Sequence, residues 1–396
     1  MPPIYSITYA IPHILFYLLI AIPCFNVEVE TLEVKRSYKY FRLISMLLIP
    51  FIFIGLRGFV FTDWYSYYPL FQSTPTLFDS KELINKFLDA YTLEPGFLIY
   101  NIIIKSIFRD YFFYQLVNFL IDYIIIIYFF KKYLKDYWYL GIYFFFLYNG
   151  NQIEINLFRN SKAMMLFLLS VPYIKQKKFL KYFLLNLLGI TFHISSIIYI
   201  PLYFIVDRRF NRNFVFLMYI VGNIFYILNI QWISPLLDIL FPILSINPRL
   251  AVILKQYMKA SGAYSLSIGY IERNISFLLA YHFAPKLEKI DDENRIFNNF
   301  FYMYIFLFLY GSCFSIVYER VALLFIFSYW ILFPRIYQIL SPRYKSYFLV
   351  VFIMYGLIKY TNGNRNILSM YKFFFSEDFD EKKNLFLYAR KGIFGN

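Results

Sequence analysis

Six side chains in this sequence have types and surroundings that suit chemistry on a phosphorylated, hydroxyl-rich substrate. Arg57 closes an apolar run, and Asp63 follows it in the stretch Arg57-Gly58-Phe59-Val60-Phe61-Thr62-Asp63. Glu94 opens Glu94-Pro95-Gly96-Phe97, and Arg159 sits in Asn156-Leu157-Phe158-Arg159-Asn160-Ser161. His193 is accompanied by Thr191, Ser195 and Ser196, and Arg320 follows Glu319 at the start of another apolar run. Guanidinium groups pair bidentately with phosphate oxygens. A carboxylate, or an imidazole with its ordinary pKa near ~6.5, can relieve a hydroxyl of its proton.

Each residue also has a structural reading. Arg57 and Arg159 could snorkel to headgroups, and Arg320 could pair with a carboxylate on another helix. Asp63 and Glu94 could be solvated or ion-paired, and His193 could be a packed core histidine. On one helix, Asn156, Arg159, Asn160 and Ala163 would share a face by their spacing of three, four and seven, giving a polar stripe that favours a lined cavity over snorkelling.

The absences matter as much. The sequence has no Gly-rich phosphate loop, no His- or Cys-rich metal cluster and no Gly-x-Ser-x-Gly elbow. Asp378-Phe379-Asp380 has the spacing of a metal–nucleotide acidic pair but lies in a charged tail, where chance explains it. No metal and no cofactor are therefore expected. Of the other histidines, His13 is expected to pack within the first span and His282 to cap the inner end of another. Cys24 and Cys313 lie in or beside apolar runs and imply neither a disulfide framework nor a zinc site.

What must hold these side chains in place follows from composition. Of 396 residues, 60% are hydrophobic and 16% charged, against roughly 45–50% and 25% in soluble domains. The 50 Phe and 41 Tyr could reflect genome composition; the clustering of apolar residues into long runs cannot. The chain is expected to be an all-α polytopic membrane protein. Soluble enzymes, secreted disulfide scaffolds, coiled coils and disordered chains are excluded. The net charge of +15 follows from the excess of Lys and Arg in cytoplasmic loops, so no nucleic acid is expected as a partner.

Crossing about 30 Å of hydrocarbon takes about 20 residues. Candidate spans are 5–25, 41–57, 112–130, 155–173, 214–230, 297–316 and 319–340, with shorter or more polar ones at 137–149, 270–285 and 346–360. That gives about ten transmembrane helices in a single domain over 1–360. No Lys or Arg precedes Lys35, so the first run reads as a retained span with its N-terminus outside. Basic clusters at Lys35–Lys39, Lys131–Lys135, Lys175–Lys178 and Arg208–Arg212 are placed in the cytoplasm. Residues 58–111 and 231–269 then form outside loops, with 96–108 as a helix in the outer interface. Residues 179–206 are flanked by basic clusters on both sides and read as a re-entrant hairpin turning near Gly189–Ser196. Irregular backbone at membrane depth needs protein or a water-filled cavity to satisfy it. Residues 361–396 read as a surface tail.

These motifs resemble the EpsG-like branch of Wzy-type polysaccharide polymerases. The resemblance rests on Arg57-Gly58 with Thr62-Asp63 and Tyr67, on Glu94-Pro95-Gly96-Phe97, on Phe158-Arg159, on Phe192-His193 with Ser195, and on Tyr318-Glu319-Arg320. The chain departs from the usual pattern at Phe59-Val60-Phe61 and at Ile194. The resemblance implies a fold similar to the integral-membrane, GT-C-like glycosyltransferases. It also implies a bacterial cytoplasmic-membrane enzyme that joins undecaprenyl-diphosphate-linked repeat units of O-antigen, capsule or exopolysaccharide on the outer, periplasm-facing side. On that basis Arg159 and Arg320, with Arg57, would hold the diphosphate. His193 would act as base, with Glu94 or Asp63 in reserve, and the transfer would invert the anomeric carbon. Trp64, Tyr67 and Asn160 would contact sugars, and a chain-length regulator protein is an expected partner. The competing functions are a lipid-linked oligosaccharide flippase, which should show an internal two-fold repeat, and another membrane glycan transferase, ligase or acyltransferase.

Overall fold

A computed structural model of the chain describes residues 2–25, 32–233, 235, 266–312 and 321–394. Most of the expected 231–269 loop, and Cys313, Glu319 and Arg320, lie outside them. Helices dominate; the described residues form no β-strand, only isolated antiparallel bridges at Tyr5–Asn366 and Arg57–Phe373. Among the described residues three stretches are long and apolar enough to cross a bilayer: Ile7–Cys24, Arg36–Gly55 and Tyr111–Leu147. Shorter apolar helices include Pro95–Ile107, Phe179–Ile190 and Arg212–Ile227.

The Ile7–Ala21 helix shows why these segments belong in lipid. Ser6 caps it, its side chain accepting from the Thr8 N–H at 3.2 Å. Its inner face carries buried Ala10, His13, Phe16, Tyr17 and Ile20, while Ile7, Ile11, Leu15 and Leu19 form an exposed stripe. A helix at a water boundary would put polar residues on that outer stripe; one that stays apolar all round faces hydrocarbon or protein. Leu180, Leu184, Leu187 and Leu188, and again Val350, Val351, Met354 and Ile358, repeat the exposed apolar stripe. The chain is an all-α polytopic membrane protein.

Two compact units form. The first comprises Met1–Tyr173, Lys178–Ile197 and Tyr337–Asn396. Its middle is the 24-residue helix Tyr111–Leu134, followed by Trp138–Leu147, whose side chains are almost all buried. The expected outside loop 58–111 folds into the helices Trp64–Ser73, Lys81–Ala90 and Pro95–Ile107 around an aromatic cluster that includes Phe59, Trp64, Phe71, Phe97 and Tyr111. The expected surface tail is packed as well. Ile367, Phe386 and Ala389 are buried, and a helix runs over Phe379–Phe394.

The second unit comprises Ile174–Lys177 and Ile198–Ile336. Within it Arg212–Ile227, Ile268–Ile290 and Asn294–Gly311 are joined by rings and amides: Tyr219 stacks on Phe277 at 3.9 Å, and the Tyr219 hydroxyl donates to Asn274 Oδ1 at 2.6 Å. Lys177 Nζ meets Asp207 Oδ2 at 2.5 Å. The chain thus leaves this unit after Lys177 and is back at the same point by Asp207. Between them it lends Lys178–Ile197 to the first unit: the helix Phe179–Ile190, a tight turn, and a 3-10 turn that begins at Ile194.

Candidate active site

The ends of three elements meet in the first unit. Pro95 starts the Pro95–Ile107 helix, where its missing N–H goes unneeded, and it keeps Glu94 extended. The Phe158–Ser170 helix starts after a break at Leu157, which puts Arg159 in its first turn. The Phe179–Ile190 helix stops at Thr191, where the backbone N–H groups of Phe192 and His193 both bond Gly189 O at 3.0 Å. The helix starting at Pro95 and this turn touch directly, the Phe97 N–H reaching Thr191 O at 3.2 Å. Only glycine fits at position 96, because a Cβ there would lie 2.2 Å from Thr191 Oγ1 and 2.8 Å from Thr191 O.

That contact brings together residues far apart in sequence. Glu94 Oε2 takes Arg159 Nη1 at 2.6 Å, while Oε1 accepts the Ile194 backbone N–H at 3.1 Å. Arg159 Nε donates to the Tyr67 hydroxyl at 3.3 Å, and the Tyr67 ring lies between those of Phe97 and Phe158. Burial alone would raise the Glu94 carboxyl, but the Arg159 charge and the backbone N–H bonds hold it below the ordinary value, so it is a carboxylate at neutral pH. Next to this pair, His193 Nδ1 lies 2.6 Å from Ser195 Oγ and accepts the Ser195 backbone N–H at 3.3 Å. Nδ1 is therefore the lone-pair nitrogen, and Ser195 Oγ–H is its donor.

Asp63 is positioned separately. Asn156 Oδ1 accepts the backbone N–H of both Thr62 and Asp63 at 3.1 Å, and Asn156 Nδ2 donates to Thr62 Oγ1 at 3.1 Å. The C-terminal segment clamps the same loop from the other side. Gly58 N–H bonds Lys372 O at 2.9 Å, Phe61 N–H bonds Leu368 O at 2.8 Å, and Phe59 N–H bonds Glu377 Oε2 at 2.8 Å. Gly58 leaves room for that carboxylate, since a Cβ would fall 2.1 Å from its oxygen and displace the Glu377 side chain.

Five expectations are corrected or left aside. Arg57 is 1% exposed; its Nη1 donates to Ile54 O at 2.5 Å and its Nη2 to Glu154 O at 3.2 Å, so it braces backbone and offers nothing to an incoming diphosphate. Trp64 is 3% exposed, its indole N–H given to Phe61 O and its ring packed on Phe59 and Phe386, which leaves no face for a sugar. The break at Leu157 puts Asn156 on the preceding Gly150–Asn156 helix, so the polar stripe is not continuous. Asn160 is buried in the helix's first turn rather than lining open space, and its Oδ1 finds no partner among the described residues. Arg320 lies outside the described residues.

The structure adds charged residues that the sequence reading passed over. Lys162 Nζ meets Asp122 Oδ2 at 2.8 Å and donates to Asn118 O at 3.0 Å, with both charged side chains almost fully buried. Glu154 is 3% exposed beneath them. Gln115, Asn118 and Asp122 follow one another at helical spacing inside an otherwise apolar helix, and intramembrane ionisable residues are the signal that could have found them. Among the described residues no group of three or more His, Cys, Asp or Glu side chains could hold a metal ion.

The sequence model of the EpsG family matches residues 38–374. No curated protein and no solved structure matches the chain. The matched range takes in Glu94, Arg159 and His193, and the chain therefore belongs to the EpsG family, membrane proteins of polysaccharide biosynthesis with a glycosyltransferase-like polymerase role.

Proposed function

We propose that the chain joins undecaprenyl-diphosphate-linked oligosaccharide repeat units on the outer face of the cytoplasmic membrane, transferring the glycan of one lipid diphosphate to a sugar hydroxyl of another. The observation that carries this reading is the convergence of Glu94, Arg159 and the His193 turn, two charged side chains and a backbone N–H from three elements that apolar packing alone would have no reason to bring together. The family supports it at the level of glycan polymerisation.

In the proposed reaction an acceptor hydroxyl displaces the diphosphate at the donor's anomeric carbon. A C–O bond to the acceptor forms, the C–O bond to phosphate breaks, and the configuration inverts. Arg159 takes the growing negative charge on the leaving diphosphate. Its plane is already set by Glu94 and Tyr67. His193 receives the acceptor's proton at Nδ1, with Ser195 Oγ between hydroxyl and imidazole as the relay. Glu94, held ionised by Arg159, is better suited to orienting that arginine than to acting as base. Arg320 is proposed as the second diphosphate ligand, and the 179–206 segment as a re-entrant hairpin that brings the His193 turn to the site from the membrane side. A chain-length regulator is the proposed partner protein.

The test is a surface-glycan gel from cells carrying Arg159→Ala or His193→Ala. The ladder is expected to collapse to material bearing single repeat units. An intact ladder in both variants refutes the mechanism, and loss of the single-unit band as well points to flipping or ligation instead.

A further inference from the structure

A second polar concavity in the same unit has no part in the chemistry above. It is a cavity of about 130 Å³ walled by Phe61, Phe146, Asn149, Asn151, Gln152, Lys359, Gly363 and Asn364, among others. We propose that it is a glycan subsite, seating one sugar ring of the lipid-linked chain beside the reacting end. This inference rests on the polymerase reading and names where that reading's substrate is gripped.

The chemistry of the wall is that of sugar recognition. Four carboxamides, Asn149, Asn151, Gln152 and Asn364, line it; Asn364 Nδ2 already donates to Tyr360 O at 2.9 Å, so that amide turns its acceptor oxygen to hydroxyls, while Asn149 turns its donor. Phe61, half-buried, supplies apolar surface for the C–H face of a ring. Asn151 is 8% exposed, and among the described residues its Oδ1 has no hydrogen-bond partner, so it is an acceptor that a hydroxyl can satisfy once the amide turns toward the cavity. Lys359 Nζ donates to Asn149 Oδ1 at 3.0 Å, which fixes that amide with its NH2 edge turned to other partners.

Backbone strain points to the same place. Phe61 (φ 63°) and Asn149 (φ 68°) are both left-handed non-glycine residues, and both line this cavity. Asparagine tolerates that conformation; for a bulky phenylalanine it is a real outlier, and such strain gathers at functional sites. The position is also right. Asn151 lies on the short Gly150–Asn156 helix, whose other end is about 8 Å away by helical rise and three residues before Arg159.

Gly363 gives a clean test, because a Cβ built on it meets nothing within 4 Å although the residue lines the cavity. A large side chain there starts without a clash and is expected to reach across the cavity mouth. The probe is the diphosphate-free repeat-unit oligosaccharide released by mild acid from the cells' own lipid-linked glycan, titrated against the full-length protein in nanodiscs. Gly363→Phe is expected to abolish binding, Asn151→Ala to weaken it about tenfold, and Gly363→Ala to leave it at the wild-type level. In cells, Gly363→Phe is expected to shorten the glycan ladder. Arg159→Ala is expected to bind this probe normally, which separates the two ideas. An intact ladder with both Arg159→Ala and His193→Ala removes the mechanism on which the subsite rests. Binding and ladder unchanged by both Gly363→Phe and Asn151→Ala show a cavity that holds only water, and overturn the subsite.

Discussion

Two ion pairs leave the Phe158–Ser170 helix one turn apart, and their surroundings give them opposite work. Arg159 and Glu94 meet at 2.6 Å with side chains 26% and 17% exposed. Lys162 and Asp122 meet at 2.8 Å with 6% and 2% exposed. The inner pair is surrounded by protein, so neither charge has water to fall back on. Such a pair adds little net stability, yet losing one partner is severe because the other is stranded. The outer pair is reachable. Glu94 and Tyr67 engage Nη1 and Nε of Arg159, neither of them holding Nη2, and a diphosphate can compete for the same guanidinium. One helix thus carries an anchor that must not exchange partners and, one turn nearer its start, a cation whose partner can be exchanged.

Breaking the anchor should produce the largest effect. Lys162→Met leaves the Asp122 carboxylate buried without its cation and is expected to cost about 3–5 kcal/mol. The readout is thermal unfolding of the detergent-solubilised protein followed by size-exclusion chromatography. The double variant Lys162→Met/Asp122→Asn should recover most of the loss; a single variant as stable as the parent would mean that the pair holds nothing in place. Arg159→Ala is the counterpart. It should change stability by no more than about 1 kcal/mol while reducing polymer formation about 100- to 1,000-fold, the scale for losing one preorganised charge-stabilising group. Arg159→Lys should recover little of that activity, since a lysine offers a point charge in place of a fork. A fold lost along with the activity would erase the contrast between the two pairs.

The parts of this arrangement legible in the sequence were those that depend on local apolarity. Runs such as 5–25 and 112–130 correspond to the helices Ile7–Ala21 and Tyr111–Leu134 because burying or lipid-solvating twenty apolar residues is a property of the run itself. Glu94, Arg159 and the His193 turn were visible as ionisable or polar groups at the ends of such runs, though not their contact, which depends on two helices meeting at Gly96 and Thr191. The break at Leu157 had no local signal, with neither Pro nor Gly nearby. It is imposed from outside, by a loop that docks its Thr62 and Asp63 N–H groups on Asn156. Arg57 and Trp64 were misjudged for one reason: their neighbours in sequence suggested an outer rim, while the C-terminal segment folds back over that rim and buries them. Lys162 and Asp122 were in plain view, but averaging hydropathy over a span hides a single carboxylate.

A smaller perturbation acts on the outer pair through its scaffold. Gly96→Val drives a branched side chain into Thr191 and should cost about 1–3 kcal/mol by overpacking. Because the displaced helix end carries Glu94, the damage to polymer formation should exceed what the stability loss explains. Assaying activity at equal amounts of folded protein measures this. Activity falling only in step with folded protein would show that the Glu94–Arg159 geometry does not depend on that contact.

The smallest effect concerns a third buried cation, which sharpens the comparison because its nearest partner is not a carboxylate. Lys382 in the C-terminal segment is 4% exposed and donates Nζ to Met370 O at 2.8 Å. Burial pushes its ammonium down to about 8, against the pull of Glu377. At neutral pH both the folded and the unfolded chain carry the proton, and the folded chain bears the cost of a buried charge. As pH rises from about 8 toward the ordinary lysine value near ~10.4, the folded chain gives up the proton while the unfolded chain keeps it. The unfolded state then binds more protons, so stability rises with pH across that window. Unfolding curves between pH 7 and pH 10 should therefore show an alkaline stabilisation that Lys382→Met removes. If the rise survives in Lys382→Met, the carbonyl-held ammonium is not its source, and the contrast between cations held by carbonyls and by carboxylates fails at this position.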